Sequence, residues 1–461
     1  MLTRVTQADA VLRRWAPSRR GRAVIAGGLL VSTVLQIIGV PFTSSFGTRT
    51  RIDLDVYRLG AQIWQQGQSL YADGSMPFTS DGIWLPFTYP PFAALGFVPL
   101  GALPLGLAGL VMSVATVGLT VVIARIVLDV CDIGAVSDRS NRSNRWWIAM
   151  VIAIGAIWLN PVWMTLGFGQ INIILVALIM TDLFIVGRGR ARALSPARGL
   201  LIGIAAAVKL TPLVFIAVFI AARQWRAACT AAITFAGAAA LAWVWLPADS
   251  LNYWTHTLFH TTRIGDPAGG INQNLNAMWI RLIPDSAVAQ QVMWVLSSLA
   301  ATALMVAAVR SCRPVAAFAT LADPASAERT TRATAGVNAM LTTSAIAVWG
   351  LLVSPTSWAH HWVWSIPIIV TTAIIAIRST SRRYRVAYGS CTVAGLIIFT
   401  LGPFQFLRPP AAGWTPIDHF IGNAYSLWGI AFLAVVWLLP SQTVMHPVAD
   451  DARELAAVRR P

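Results

Sequence analysis

The stretch GLLIGIAAAVKLTPLVFIAVFIAA, residues 199–222, sets one cation inside an otherwise apolar run. Lys209 is the one lysine among 34 basic residues; all the others are arginine. A charge at hydrocarbon depth is costly, so where one stands it faces a partner or a water-filled cavity. Thr211 and Pro212 follow closely, and proline removes a backbone donor that a continuous helix needs. The run begins after Arg198 and ends before Arg223, yet it is too short to cross a bilayer twice. The spacing predicts a broken or re-entrant helix pair around Lys209–Pro212. Irregular backbone at that depth is tolerated only where it is buried in protein or lines a cavity.

The rest of the chain has the same membrane character. Its 461 residues are 56% hydrophobic and 11% charged, against roughly 25% charged in soluble domains. The mean hydropathy is +0.66. Apolar stretches recur at 23–42, 105–124, 146–166, 171–186, 287–309, 387–401 and 425–439. Each approaches the roughly 20 residues that cross a bilayer. The net charge of +16 does not indicate nucleic acid, because the arginines cluster in short connections between apolar runs. There they meet anionic headgroups. Cys131, Cys229, Cys312 and Cys391 lie far apart, with neither metal spacing nor a disulfide framework. The arginine-rich N-terminus precedes an apolar run too long for a leader peptide, so it reads as an uncleaved first span.

Arginine-rich connections mark the cytoplasmic side. They are the N-terminus, 125–145, 188–198, 223–226, 310–332, 378–385 and the tail over 441–461. The connections 43–90, 166–170, 247–284, 354–360 and 405–423 then fall outside. The expectation is an all-α polytopic bundle of about ten spans plus broken elements, forming a single domain over 1–461. Both termini are expected to be cytoplasmic, in the plasma membrane. The run from 91 to 124 divides into a short interfacial piece, 91–103, and a full helix from about 105. In the first outer loop, 43–90, Val56, Leu59, Gly60, Ile63, Trp64 and Leu70 recur at helical spacing, which predicts an amphipathic helix on the membrane surface.

Polar residues collect at the outer ends of the spans, so one shared extracytoplasmic site is the economical reading. Asp53 and Asp55 sit within three positions of each other in a chain with 18 acidic residues. A carboxylate there can act as general base toward a hydroxyl, serve in an Asp-x-Asp cation site, or cap a helix. His360 and His361, among Trp358, Trp362 and Trp364, can bind metal or donate hydrogen bonds to phosphate, or belong to an aromatic belt; no third ligand at a recognisable spacing supports the metal. Lys209 can snorkel or pair with a carboxylate, or meet an anionic group of a ligand as a point charge. Arg281 and Arg263 are further phosphate candidates, although Arg263 reads more simply as surface charge. Asn272, Gln273 and Asn274 offer amides suited to sugar hydroxyls or to a turn.

Taken in order, Asp53-Leu54-Asp55-Val56-Tyr57, Gly67-Gln68-Ser69-Leu70-Tyr71, Phe87-Thr88-Tyr89-Pro90-Pro91, Gly169-Gln170-Ile171-Asn172, Lys209-Leu210-Thr211-Pro212, Asn272-Gln273-Asn274 and Ser357-Trp358-Ala359-His360-His361-Trp362 form a series that resembles the actinobacterial polyprenyl-phosphate-mannose-dependent alpha-1,2-mannosyltransferases, which are C-type membrane glycosyltransferases. The resemblance runs from about residue 50 to 365. It implies a transmembrane bundle whose outer loop-helix carries the catalytic acid. It also implies a polyprenyl-phosphate-mannose donor and a glycolipid acceptor such as a phosphatidylinositol mannoside, lipomannan or lipoarabinomannan. The catalytic role carries over to Asp53, with Asp55 second. His360 and His361 carry over as donor-phosphate contacts, joined by Lys209 and Arg281. Tyr57, Tyr89, Gln170, Asn172, the Asn272–Asn274 run and Trp358 are the expected substrate contacts.

The implied chemistry is inversion: Asp53 takes the acceptor proton while phosphate leaves, its growing charge met by fixed donors. A monophosphate flanked by cations implies no metal and no other cofactor. The competing reading from another class is a lipid or sugar transporter; no repeat halves are visible to support it. A transferase using polyprenyl-phosphate-arabinose or glucose is the nearer alternative.

Overall fold

The computed structural model describes residues 15–39, 51–132, 139–187, 195–323, 327–410 and 413–440. The expectations for the extreme N-terminus and for the tail over 441–461 lie outside the described residues. The described residues are helical, with no strand beyond one isolated antiparallel bridge between Asn272 and Trp358. Seven helices are long and apolar enough to cross a membrane, or nine if each of two bent pairs counts as one span. The chain is a multi-pass membrane protein.

The long helices are α1 (Arg19–Ile38), α5 (Leu105–Val130), α11 (Trp225–Trp245), α14 (Ala287–Ser311), α16 (Arg329–Val353), α17 (Ser365–Arg378, preceded by a 3-10 turn) and α18 (Arg382–Leu401). Between α1 and α5 lie α2 (Ile52–Gln65), α3 (Pro91–Gly96) and α4 (Val98–Gly101). The bent pairs are α6 (Arg139–Ala156) with α7 (Asn160–Phe168), and α19 (Pro416–Gly422) with α20 (Ala424–Leu438). Between α7 and α11 run α8 (Asn172–Phe184), α9 (Leu200–Val208), a 3-10 turn over Thr211–Phe215 and α10 (Ile216–Ala221). Finally, α12 (Pro247–Thr255) and α13 (Leu275–Leu282) follow α11, and α15 (Pro314–Ala322) precedes α16.

Two expected spans differ in form. The run 146–166 bends by 81° between α6 and α7. Leu159 is extended there and Pro161 opens the next helix, where its missing N–H costs nothing. The run 171–186 yields only the 13-residue α8, roughly 20 Å long. The division of 91–124 is as expected: α3 and α4 are short, and α5 starts at Leu105.

The break at Lys209 is also present. Lys209 is extended, at φ −148° and ψ 126°, between α9 and the 3-10 turn. Gly199 and Gly203 press on Ala227, Ala231 and Thr234 of α11, so α9 and α11 run side by side in one direction. At Gly199, φ is +101° and a Cβ would stand 2.2 Å from the carbonyl oxygen of Ala227, which glycine alone avoids. The chain then returns, because the Arg198 guanidinium lies 5.6 Å from the ring of Phe219. The segment is a re-entrant hairpin with Lys209 at its tip, roughly 14 Å from its base. Buried Asp182 of α8 closes the base by accepting from the backbone N–H groups of Gly199 (2.7 Å) and Ile202 (2.9 Å).

Helix α2 starts before the amphipathic pattern read from the sequence and does not present its apolar face to a membrane surface. Tyr57 stacks on Phe97 at 4.4 Å, and Gly60 sits against the ring of Phe87. Arg58 Nε donates to the carbonyl of Leu103 at 2.9 Å and Gln62 to that of Gly101 at 2.8 Å. Protein takes the place of lipid on that face because 87–101 folds back over it.

Candidate active site

The first turn of α2, the 87–90 segment, the hairpin tip and the 354–361 segment converge on one cavity of about 430 Å³. Asp53, Tyr89, Gln170, Lys209, Trp358, His360 and His361 all line it.

Asp53 is placed by a close approach of two elements. Gly169 ends α7 at φ +71°, and a Cβ there would lie 2.6 Å from Leu54 Cβ. The Arg51 N–H donates to the carbonyl of Gly167 at 3.1 Å. Gln170 thereby reaches a buried aromatic pair. Tyr57 OH donates to Gln170 Oε1 at 2.8 Å, and the Tyr57 and Tyr89 hydroxyls lie 2.8 Å apart. Burial pushes the Asp53 carboxyl up to about 6, while a hydrogen bond with Gln170 and the charge of Lys209 pull it down. A carboxylate tuned toward neutrality fits general-base chemistry.

Lys209 faces it as a cation. Its Nζ donates to Asn172 Oδ1 at 3.0 Å, meets His361 Nε2 at 3.2 Å and lies 5.5 Å from the centre of the Tyr89 ring. A protonated lysine has donors only, so His361 Nε2 accepts and the ring proton sits on Nδ1. Asn172 also donates to the carbonyl of His360 at 2.8 Å, which ties the lysine and both histidines to the start of α8. His360 is 5% exposed, and among the described residues neither ring nitrogen has a hydrogen-bond partner. Buried polar groups normally have partners, and His360 lines the cavity with both ring nitrogens buried and unpaired.

Several expected site residues sit elsewhere. Asp55 is 2% exposed and does not line the cavity; its carboxylate accepts from Arg58 (2.6 Å) and from the backbone and side chain of Ser80 (2.8 and 2.7 Å). It ties α2 to the outer loop. Asn272, Gln273 and Asn274 are fully buried behind the cavity. Asn272 Oδ1 accepts from the Ser357 N–H at 2.9 Å, and the Gln273 N–H donates to the carbonyl of Ser357 at 2.8 Å. Asn274 caps α13 through the Ala277 N–H at 2.7 Å. Arg281 is 6% exposed and donates to the carbonyls of Ala268, Gly269 and Asn272 and to the Asn423 side chain. Asn272 and Gln273 thus hold the segment that carries His360 and His361, and Arg281 braces 268–272 behind them. Tyr57 is likewise behind the wall, bonded to Tyr89 and Gln170.

Arg263, read from the sequence as surface charge, lines the cavity. Thr88, Thr211, Tyr253 and Thr356 add hydroxyls to its wall. Thr88 and Thr211 lie inside the motifs quoted above; nothing in the local sequence marks Tyr253.

The model of glycosyltransferase family 87 matches residues 87–355. The chain is 36% identical to a polyprenol-phosphate-mannose-dependent alpha-(1-2)-phosphatidylinositol mannoside mannosyltransferase of Mycolicibacterium smegmatis, over 88% of this chain and 87% of the relative. It is 35% identical to the protein of the same description from Mycobacterium tuberculosis, over 91% and 92% of the two chains. Among solved structures, ArnT from Cupriavidus metallidurans bound to undecaprenyl phosphate aligns at 13% identity and a TM-score of 0.34, over 91% of this chain and 78% of that one.

Proposed function

The chain belongs to glycosyltransferase family 87, and from that we propose that it transfers mannose from polyprenol-phosphate-mannose to a phosphatidylinositol mannoside, forming an alpha-1,2 linkage with inversion. The observation that carries the reading is Asp53 lining the same cavity as the Lys209–His361 pair and the unpaired His360. Asp53 takes the proton of the acceptor hydroxyl as its oxygen bonds to the anomeric carbon. The bond from that carbon to the phosphate oxygen breaks, and its electron pair leaves with polyprenyl phosphate. The phosphate gains charge at this step, where Lys209 and the imidazoles are already placed. Tyr89, Gln170 and Trp358 are the wall groups proposed to hold the sugar.

The arginine-rich base of the hairpin, at Arg198 and Arg223, lies at the opposite end from Lys209. With that base cytoplasmic, the cavity faces the extracytoplasmic side. The reading is tested in proteoliposomes given polyprenyl-phosphate-mannose and a phosphatidylinositol mannoside. The expected product gains one mannose that alpha-1,2-mannosidase removes. Transfer from polyprenyl-phosphate-arabinose instead, or movement of the donor across the bilayer without transfer, contradicts it.

A further inference from the structure

Arg263 is a second cation in the cavity. Its Nη2 donates to the carbonyl of Phe87 at 2.9 Å, and its guanidinium lies 5.8 Å from the centre of the Tyr71 ring. Its Nε is buried and has no hydrogen-bond partner among the described residues. Among the described residues it forms no ion pair with a carboxylate, unlike Arg58 or Arg145. Lys209 stands over Tyr89, two positions along from Phe87, so both cations are held on the same short segment. A half-buried guanidinium without a counter-charge calls for an anion from outside the chain.

Charge balance favours the donor phosphate as that anion. With the imidazoles uncharged, ionised Asp53 and a donor phosphodiester bring two negative charges, which Lys209 and Arg263 match. After transfer Asp53 is protonated and the departing phosphate is a dianion, which the same two cations match again. Transfer moves one negative charge from Asp53 to phosphate inside a neutral site. Lys209 alone would leave one charge uncompensated in both states, which is costly away from bulk water.

We propose that Arg263 binds the phosphate of the polyprenyl donor and of the polyprenyl phosphate product, as the partner cation of Lys209; this rests on the donor reading above. The test measures binding of decaprenyl phosphate and of decaprenol, which lacks the phosphate, to the full chain in nanodiscs. Arg263→Gln is expected to weaken decaprenyl phosphate roughly tenfold or more and to leave decaprenol unchanged. Arg263→Lys, which keeps the charge, is expected to recover most of the loss. Equal phosphate affinity in the parent and the Gln variant overturns the inference. Parallel loss of both ligands overturns it too, by reducing Arg263 to a prop for Phe87. Weakened binding of a phosphatidylinositol mannoside with decaprenyl phosphate unaffected would reassign Arg263 to the acceptor. Failure of the parent itself to bind decaprenyl phosphate would instead remove the donor reading.

Discussion

At Asp53 the decisive quantity is one proton. Burial holds the carboxyl near 6 against the opposing effects of Gln170 and Lys209. A base must be ionised to act, so kcat/KM is expected to fall as pH drops through about 6, since that ratio reports groups of the free enzyme. A flat profile between pH 5 and 8 would contradict the assignment. Stability runs the other way. The folded value lies above the usual 3.8, so folding favours the protonated form, and that contribution is lost as pH rises through about 6. Ionised Asp53 then costs up to about 3 kcal/mol. Asp53→Asn is expected to melt no lower than the parent at pH 7.5, with the gap narrowing as pH falls below about 6. Thermal melting at the two pH values checks this. Lys209 stands out in the sequence as the one lysine, set in an apolar run, whereas Asp53 is singled out only by the resemblance of its motif. Residue type and spacing alone do not separate Asp55 from Asp53, because the engagement of Asp55 with Ser80, 25 positions away, is a tertiary fact.

At the scale of elements, the misread residues share a cause. A run such as Asn272-Gln273-Asn274 looks the same whether its amides meet sugar hydroxyls or backbone. Here the Asn272 amide accepts from the Ser357 N–H, that of Gln273 donates to the carbonyls of Gly270 and Gly422, and that of Asn274 caps α13. Arg281 and Arg263 exchange their expected places for the same reason. Both lie in the 247–284 connection, and nothing in the local sequence says which one turns toward the cavity. Arg281 satisfies three carbonyls and the Asn423 side chain. A buried polar group left without its partner costs roughly 1–3 kcal/mol. Arg281→Gln is therefore expected to lower the melting temperature, while the protein that remains folded keeps a donor KM near the parent's. Unchanged stability with a donor KM raised tenfold would instead return Arg281 to the phosphate site. The hairpin around Lys209 was readable from the parity of its flanking arginines, since a run of 199–222 leaving and returning to one face has to turn back. Its seam was not, because it depends on Gly199 and Gly203 meeting α11.

At the scale of the whole molecule, hydropathy and arginine placement reveal a helical bundle in a membrane, because lipid leaves few ways to satisfy a backbone. They reveal less about where spans bend. The break before Pro161 and the short α8 leave Gln170 and Asn172 buried among packed helices. That placement lets residues more than 300 positions apart, from Asp53 to His361, line one cavity. The account rests on Asp53 acting as base there while Asp55 serves as a tether. The most direct check is the rate of mannose transfer at saturating donor and acceptor in Asp53→Asn and Asp55→Asn, each normalised to folded protein. A positioned general base contributes roughly 10²- to 10⁴-fold. The account predicts a loss of that size for Asp53→Asn, with Asp55→Asn losing stability but keeping a turnover near the parent's. Near-parent turnover in Asp53→Asn, or the large loss falling on Asp55→Asn alone, would contradict it.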